Sequence, residues 1–302
     1  MCFIHYFRIF NSISFLPISI NLYIFAGAMS YEELCRRLTS LYEAGEAKAI
    51  VRWVLDVRFG LSMADILCDK MKELSTDDQR ELGEIMQRLE SGEPVQYIIG
   101  VADFCGRQFH VEPGVLIPRP ETEELCRWIV EKSEYSSILD IGTGSGCIAV
   151  TLALEMPEAK VTAWDISDTA LRIASANARA LGAKVTFEHH DILNFSLHGQ
   201  WDLIVSNPPY IQPKERDGMA RNVLDYEPQQ ALFAPEDQPI IFYQRIGDYA
   251  WQNLKPEGEL CFELNPLTAN GVSDYLHGLG FSQIEIRQDQ FGKQRFLKAT
   301  KI

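Results

Sequence analysis

The 302-residue chain carries 42 acidic against 28 basic side chains, a formal net charge of −14, and is 46% hydrophobic and 23% charged. That profile belongs to a globular protein and excludes a disordered, collagenous or disulfide-dense secreted chain, while the length exceeds what one small core organises, so two domains are expected. The negative balance, present in both globular parts, disfavours bulk duplex nucleic acid as a partner, because neutralising phosphates needs a cationic face.

Residues 1–28 stand apart: they are rich in Phe, Ile and Leu, hold Arg8 as their one charge, and are interrupted by Asn11, Ser12, Ser14, Pro17, Ser19 and Asn21. A membrane span wants about 20 predominantly apolar residues without such breaks. A signal peptide wants a basic start, which is missing here, although Ala26-Gly27-Ala28 would suit a cleavage site. Three readings stay open: an in-frame extension upstream of a true start at Met29, a processed signal or anchor, and a genuine extension. The seven Cys contain no C-x-x-C pair, and the six His contain no H-E-x-x-H pair. Reduced thiols in a cytoplasmic protein, no structural metal and no membrane contact are therefore expected, which favours the first reading.

From Tyr31 to Gly92 the apolar spacing is helical. Thr76 and Gln79 suggest a capping box, Leu82, Ile85, Met86 and Leu89 repeat on one face, and Gly92 and Pro94 stop the helix. Val95–Ile99 and Arg107–Val111, with Gly100 and Gly106 between them, predict a β-hairpin. The prolines at 113, 118 and 120 forbid a regular element until Pro120 starts a helix burying Leu125, Trp128 and Ile129. Strands are then expected at Ile138–Ile141, Val161–Trp164, Val185–Phe187, Leu203–Val205 and Glu259–Glu263. A helix over Leu171–Leu181, with Ser167 as its cap, separates two of them. Strand–helix alternation of this kind builds a parallel sheet with helices on both faces.

The first of these strands runs into Asp140-Ile141-Gly142-Thr143-Gly144-Ser145-Gly146 at a strand-to-helix turn. Glycines there let a ligand approach the backbone in front of helix N–H groups, although they also serve tight packing. Cys147 stands where the dinucleotide fingerprint wants its third glycine, and Asp165 ends the next strand, where an acid can accept from both ribose hydroxyls. Together these suggest a nucleoside without a pyrophosphate, S-adenosylmethionine rather than NAD; the alternative for Asp165 is a helix N-cap. After the fourth strand comes Asn207-Pro208-Pro209-Tyr210. Its two prolines lack N–H groups, so carbonyls face outward beside the Asn207 amide oxygen and the Tyr210 ring, a slot suited to a planar group bearing an NH₂.

Gly142–Gly146, Asp165 and Asn207–Tyr210 resemble the class I S-adenosylmethionine-dependent methyltransferases that act on planar nitrogen. From about Met29 to the C-terminus the chain more specifically resembles the peptide chain release factor N5-glutamine methyltransferases. The segments that carry this are Pro94-Val95-Gln96-Tyr97-Ile98-Ile99-Gly100, Leu116 to Glu123, Val205 to Ile211, Tyr226-Glu227-Pro228 and Asp289-x-x-Gly292-x-x-Arg295. The chain departs from that pattern at Glu263-Leu264-Asn265, where Glu-Ile-Gly is usual, at Glu236-Asp237-Gln238, and in residues 1–28.

The resemblance implies an α/β fold in which a small helical substrate-recognition domain (29–93) and a β-hairpin linker (94–118) precede a Rossmann-like, seven-stranded methyltransferase domain (119–302). It implies S-adenosyl-L-methionine as cofactor, S-adenosyl-L-homocysteine as product, and as substrate the Gln of the Gly-Gly-Gln motif of release factors. Catalytic and substrate contacts would fall on Asn207, Pro208, Pro209 and Tyr210. Cofactor contacts would fall on Asp140, Gly142, Thr143, Gly144, Ser145, Gly146, Asp165, Asp191, Ile192 and Asn207. A monomer without direct nucleic-acid contact is expected. The rival readings are a ribosomal-protein glutamine methyltransferase and a DNA or RNA amino-methyltransferase, whose exocyclic base amine would suit the same loop.

Overall fold

The computed structural model describes residues 29–131, 134–194 and 199–302, so the readings made on residues 1–28 lie outside it. Helices at Tyr31–Leu38, Ala44–Phe59, Met63–Leu67 and Thr76–Glu90 pack Leu34, Leu38, Val51, Val54, Leu55, Met86 and Leu89 into a core of their own. The cap of the last of these falls one residue earlier than the sequence suggests. Ser75 accepts from the Asp78 N–H, while Gln79 donates its side-chain amide to the Leu74 carbonyl. Among the described residues no helix is long and apolar enough to cross a membrane.

The hairpin is also displaced. Val95–Ile99, expected as a strand from its β-branched and aromatic content, is a single helical turn closed by Gly100 in the left-handed conformation. The paired strands are β1 (Val101–Phe104) and β2 (Arg107–His110). Their two-residue connection, Cys105-Gly106, has positive φ at both positions (48° and 71°), the geometry that matches the twist of flanking strands. Pairing from Val101 rather than Val95 buries Ala102, Phe104 and Phe109 on one face.

Seven further strands form one sheet: β3 (Ser137–Ile141), β4 (Lys160–Asp165), β5 (Val185–His189), β6 (Trp201–Ser206), β7 (Leu254–Glu263), β8 (Ser282–Gln288) and β9 (Gln294–Thr300), in the order β5-β4-β3-β6-β7-β9-β8. The five strands anticipated from alternation are parallel. The sheet as a whole is mixed, because β9 runs antiparallel to both β7 and β8. The connection from β8 to β9 is a short turn, too short for the crossover that parallel strands need. Helices cover both faces. Leu125, Ile129, Ile148 and Ala178 pack on one side, and Tyr243, Ile246, Val272 and Leu276 on the other. Strand order reverses between β3 and β6, and the crevice outside the carboxyl ends of strands at such a reversal is where open α/β sheets bind ligands.

A strap, residues 111–119, runs from the hairpin across that crevice. Val111, Val115 and Ile117 pack on Ala170 and Ile173 of the helix Asp168–Leu181, and the Tyr97 hydroxyl donates to the Val115 carbonyl. Glu227, its side chain 1% exposed, pins the strap by accepting from Arg119 Nη2 (2.5 Å) and from the Ile117 N–H (3.1 Å). Removing one partner of a buried pair strands the other, and Arg119 is itself a third exposed. Arg119→Met should therefore lower stability by about 2 kcal/mol, below the full cost of breaking a wholly buried pair. Urea unfolding measures this, and an unchanged midpoint would show that Glu227 does not depend on the guanidinium.

Candidate active site

A cavity of about 300 Å³ opens at the carboxyl ends of β3, β4, β5 and β6. The loop after β3 forms its floor. The Gly142 and Thr143 N–H groups both donate to the Trp164 carbonyl near the end of β4 (2.9 and 3.0 Å), which folds the loop back over the sheet edge. Gly142 and Gly144 have φ of 76° and 56°, and a side chain on either would meet no other atom within 4 Å, so the loop's bare backbone faces open space. Gly146 answers a different need. A Cβ there would lie 2.9 Å from Ala174 Cβ, so this glycine seats the helix Cys147–Glu155 against Asp168–Leu181 and does not line the cavity.

Asp165 lies on the wall with its carboxylate already engaged. Oδ2 accepts from the Gly144 N–H and Oδ1 from the Ser167 N–H, each at 2.9 Å. The N-cap of the following helix is Ser167, whose hydroxyl accepts from the Ala170 N–H, so Asp165 ties the glycine loop to β4 instead of capping a helix. Burial raises its pKa against the pull of those amides. Asp140 stands behind the loop: it is fully buried, its Oδ2 accepts from the Thr143 hydroxyl at 2.7 Å, and it is absent from the cavity wall. Burial lifts its pKa to about 7, against the Thr143 hydroxyl and the Ala149 amide, which lower it. Thr143, Ser145, Asp191 and Ile192 line the cavity. Both Asp191 oxygens are used locally, on the Leu193 N–H and the Asn194 side-chain amide.

The acceptor loop follows β6. The register Ser206↔Phe262 sets Asn207 beside Glu263, the last residue of β7. Asn207, Pro208 and Pro209 line the cavity, and Tyr210 does not. The Tyr210 hydroxyl donates to Glu263 Oε1 (2.9 Å), and its ring packs against the core cluster of Tyr243, Ile246 and Phe262. Asn207 Nδ2 donates to Thr122 Oγ1 (3.2 Å), and Thr122 donates to Glu263 Oε2 (2.6 Å). Among the described residues Asn207 Oδ1 and the Pro208 carbonyl have no hydrogen-bond partner. Asn265, which departs from the resembled pattern, supports the same loop by donating Nδ2 to the Tyr210 carbonyl (3.0 Å) and to Glu215 (2.7 Å). The Asp289–Arg295 motif holds that support in place, since Arg295 bonds both Asp289 and the Leu264 carbonyl.

Sequence reasoning named Leu116, Thr122 and Glu263 only within longer segments and gave them no role in the site, and it did not single out the apolar walls formed by Ile166, Phe242 and Ile246. The i, i+4 spacing of Phe242 and Ile246 on the helix Ile241–Asn253 was the available signal for the last two.

The site's setting recurs in known proteins. A methyltransferase from Pyrococcus furiosus aligns over 75% of this chain and 99% of its own, with a TM-score of 0.50 and 18% identity. A 16S rRNA methyltransferase from T. thermophilus, in complex with AdoMet and guanosine, aligns over 67% of this chain and 50% of its own, with a TM-score of 0.50 and 20% identity. At such identities the likeness is one of fold, that of a class I methyltransferase. Residues 31–100 match the family described as PrmC N-terminal domain, and residues 122–232 the family described as methyltransferase small domain. The release factor glutamine methyltransferase of Bacteroides thetaiotaomicron is 45% identical over 269 residues, 87% of this chain and 96% of its own length. That of Flavobacterium psychrophilum is 36% identical over 89% of this chain and 96% of its own. Identity of this level, sustained through the helical part and the sheet alike, places the chain in the release factor glutamine methyltransferase family.

Proposed function

We propose that the protein transfers the methyl group of S-adenosylmethionine to the side-chain amide nitrogen, N5, of the Gln in the Gly-Gly-Gln motif of peptide chain release factors, leaving S-adenosylhomocysteine. The observation that carries this reading is the Asn207 amide, anchored through Nδ2 on Thr122 with Oδ1 unpartnered, on the wall of a cavity floored by bare glycine backbone. The residues present fit the cofactor: Gly142 and Gly144 leave room for a close approach, and Asp165 offers an acceptor beside them.

In this reading the donor's sulfonium supplies an electrophilic methyl group and a neutral thioether leaving group. An amide nitrogen is a poor nucleophile, because its lone pair is delocalised into the carbonyl. Asn207 Oδ1 and the Pro208 carbonyl accept the two N–H bonds of the substrate amide, fixing the nitrogen and stabilising the positive charge that develops on it, after which one of those protons passes to solvent water and the N-methylamide is left neutral. Positioning and electrostatics are the whole contribution, and no Cys or Ser nucleophile is needed. Gly142, Thr143, Gly144, Ser145, Asp191 and Ile192 would hold the cofactor, with Asp140 and Gly146 shaping the loop from behind. Tyr210 would brace Glu263 and the loop rather than stack on the substrate. The helical segment 29–93, joined to the sheet domain through 94–118, would help recognise the release factor, in the cytoplasm where translation ends.

Labelled S-adenosylmethionine should deliver its methyl to a release factor, and not once the motif Gln is replaced. Label on ribosomal proteins or DNA instead would overturn the substrate assignment. Asp165→Ala should weaken S-adenosylmethionine binding by about 10- to 100-fold, the range for a hydrogen bond to a charged group. Unchanged affinity by calorimetry would remove Asp165 from the site.

A further inference from the structure

We propose that Thr122 and Glu263 are positioning residues that decide which end of the Asn207 amide faces the substrate. The inference rests on the reading that Asn207 Oδ1 receives the substrate's N–H.

An Asn side chain is nearly symmetric in shape: its C=O and NH₂ exchange places by a half-turn, and only hydrogen bonding distinguishes the two ends. Here the chemistry of both ends is opposite. With Oδ1 toward the cavity the site accepts from an amide NH₂; with Nδ2 there, donor faces donor and the substrate nitrogen is repelled. Neither the prolines nor the loop backbone dictates the choice.

The hydrogen-bond network does. An ionised carboxylate only accepts, and Glu263 has one oxygen occupied by the Tyr210 hydroxyl and the other by the Thr122 hydroxyl. Thr122 has a single hydroxyl proton, and Glu263 takes it at 2.6 Å. The Thr122 oxygen can then only accept from Asn207, which must present Nδ2. The inverted amide would set two acceptors against each other at the 3.2 Å now spanned by that bond. A buried charge is costly, and a neutral residue of similar size would pack as well. What a neutral residue would not do is impose one direction on the chain of protons.

The direction depends on the charge. Glu263 is almost fully buried, and burial raises its pKa, opposed by the Thr122 and Tyr210 hydroxyls and by the Arg295 guanidinium, with Glu121 adding repulsion. The Tyr243 hydroxyl also faces it, donating to its backbone carbonyl. Once protonated, Glu263 can donate to Thr122, whose own proton then turns toward Asn207 and favours the inverted amide.

The test compares Thr122→Val, Thr122→Ser and Glu263→Gln in steady-state methylation of a release factor from pH 5 to 9, with donor binding measured by calorimetry as a check on folding. Thr122→Val should lower kcat about tenfold, the worth of one hydrogen bond left to chance, while donor affinity stays at the wild-type value. Thr122→Ser should restore kcat. Wild type and Thr122→Ser should lose kcat on acidification, a limb that Glu263→Gln abolishes. Full kcat in Thr122→Val, failure of Thr122→Ser to rescue, or an acid limb persisting in Glu263→Gln would each overturn the inference. Asn207→Ala, run alongside, separates the two ideas. If it is slow while Thr122→Val is normal, only the positioning role falls; if it is itself fully active, the underlying reading falls.

Discussion

Asn207→Ala should lower turnover of a release factor about 100-fold or more at saturating donor, by analogy with deleting one preorganised oxyanion donor from an acyl-transfer site. The charge that develops in the transition state is positive and sits on nitrogen, so the matching device is an acceptor aimed at an N–H. Two are on offer, Asn207 Oδ1 and the Pro208 carbonyl, and the backbone one survives the substitution. The loss should therefore be large without being total. It should also be kinetic rather than structural. Among the described residues the Asn207 side chain makes one hydrogen bond, the 3.2 Å contact with Thr122, so its removal should cost about 1 kcal/mol of stability. Single-turnover methylation beside a thermal melt distinguishes the two: a wild-type rate sinks the mechanism, and a slow rate with an intact melt supports it.

Much of this site was legible because its chemistry is local in the chain. Gly142–Ser145 and Asn207–Pro209 are each consecutive residues on the cavity wall, and β3, β4 and β6 run directly into turn residues. What escaped has a physical reason in each case. Val95–Ile99 has a strand's composition, yet it packs with the helical domain and ends at a left-handed Gly100, so tertiary contacts overrode propensity. β8 and β9 hide their alternation behind charge. Lys298 in β9 is 7% exposed, lies over the Trp128 ring and pairs with Glu259, an arrangement that no periodicity of apolar residues announces. The Thr122–Glu263–Asn207 network joins residues 141 and 85 positions apart, and becomes visible only when the helix Pro120–Val130 is laid across the ends of β6 and β7. Asn265 was read as a departure from pattern; in place, it is one of the struts under Tyr210.

Asp140→Asn should stabilise the protein in a pH-dependent way, and the direction follows from where its proton sits. In the unfolded chain this carboxyl has its ordinary value of 3.8; in the folded protein, fully buried beneath the glycine loop, it is raised to about 7. Below pH 4 both states are protonated, and the residue sets no difference between them. Between pH 4 and 7 the unfolded state releases its proton and the folded state keeps it, so the contribution of Asp140 to stability falls as pH rises; above 7 both are ionised and the deficit is constant. At about 1.4 kcal/mol per unit, the deficit reaches about 4 kcal/mol. An asparagine imitates the protonated acid, with a donor on one side and an acceptor on the other for the Thr143 hydroxyl, and has no proton to lose. The gain of Asp140→Asn over wild type should thus be near zero at pH 4, grow through the interval, and level off near pH 7. Urea unfolding at pH 4, 5.5 and 8 measures it. A gain of the same size at all three would mean that packing, not ionisation, sets the difference. A loss at pH 8 would mean that the ionised carboxylate finds cations or donors beyond the Thr143 hydroxyl and the Ala149 amide.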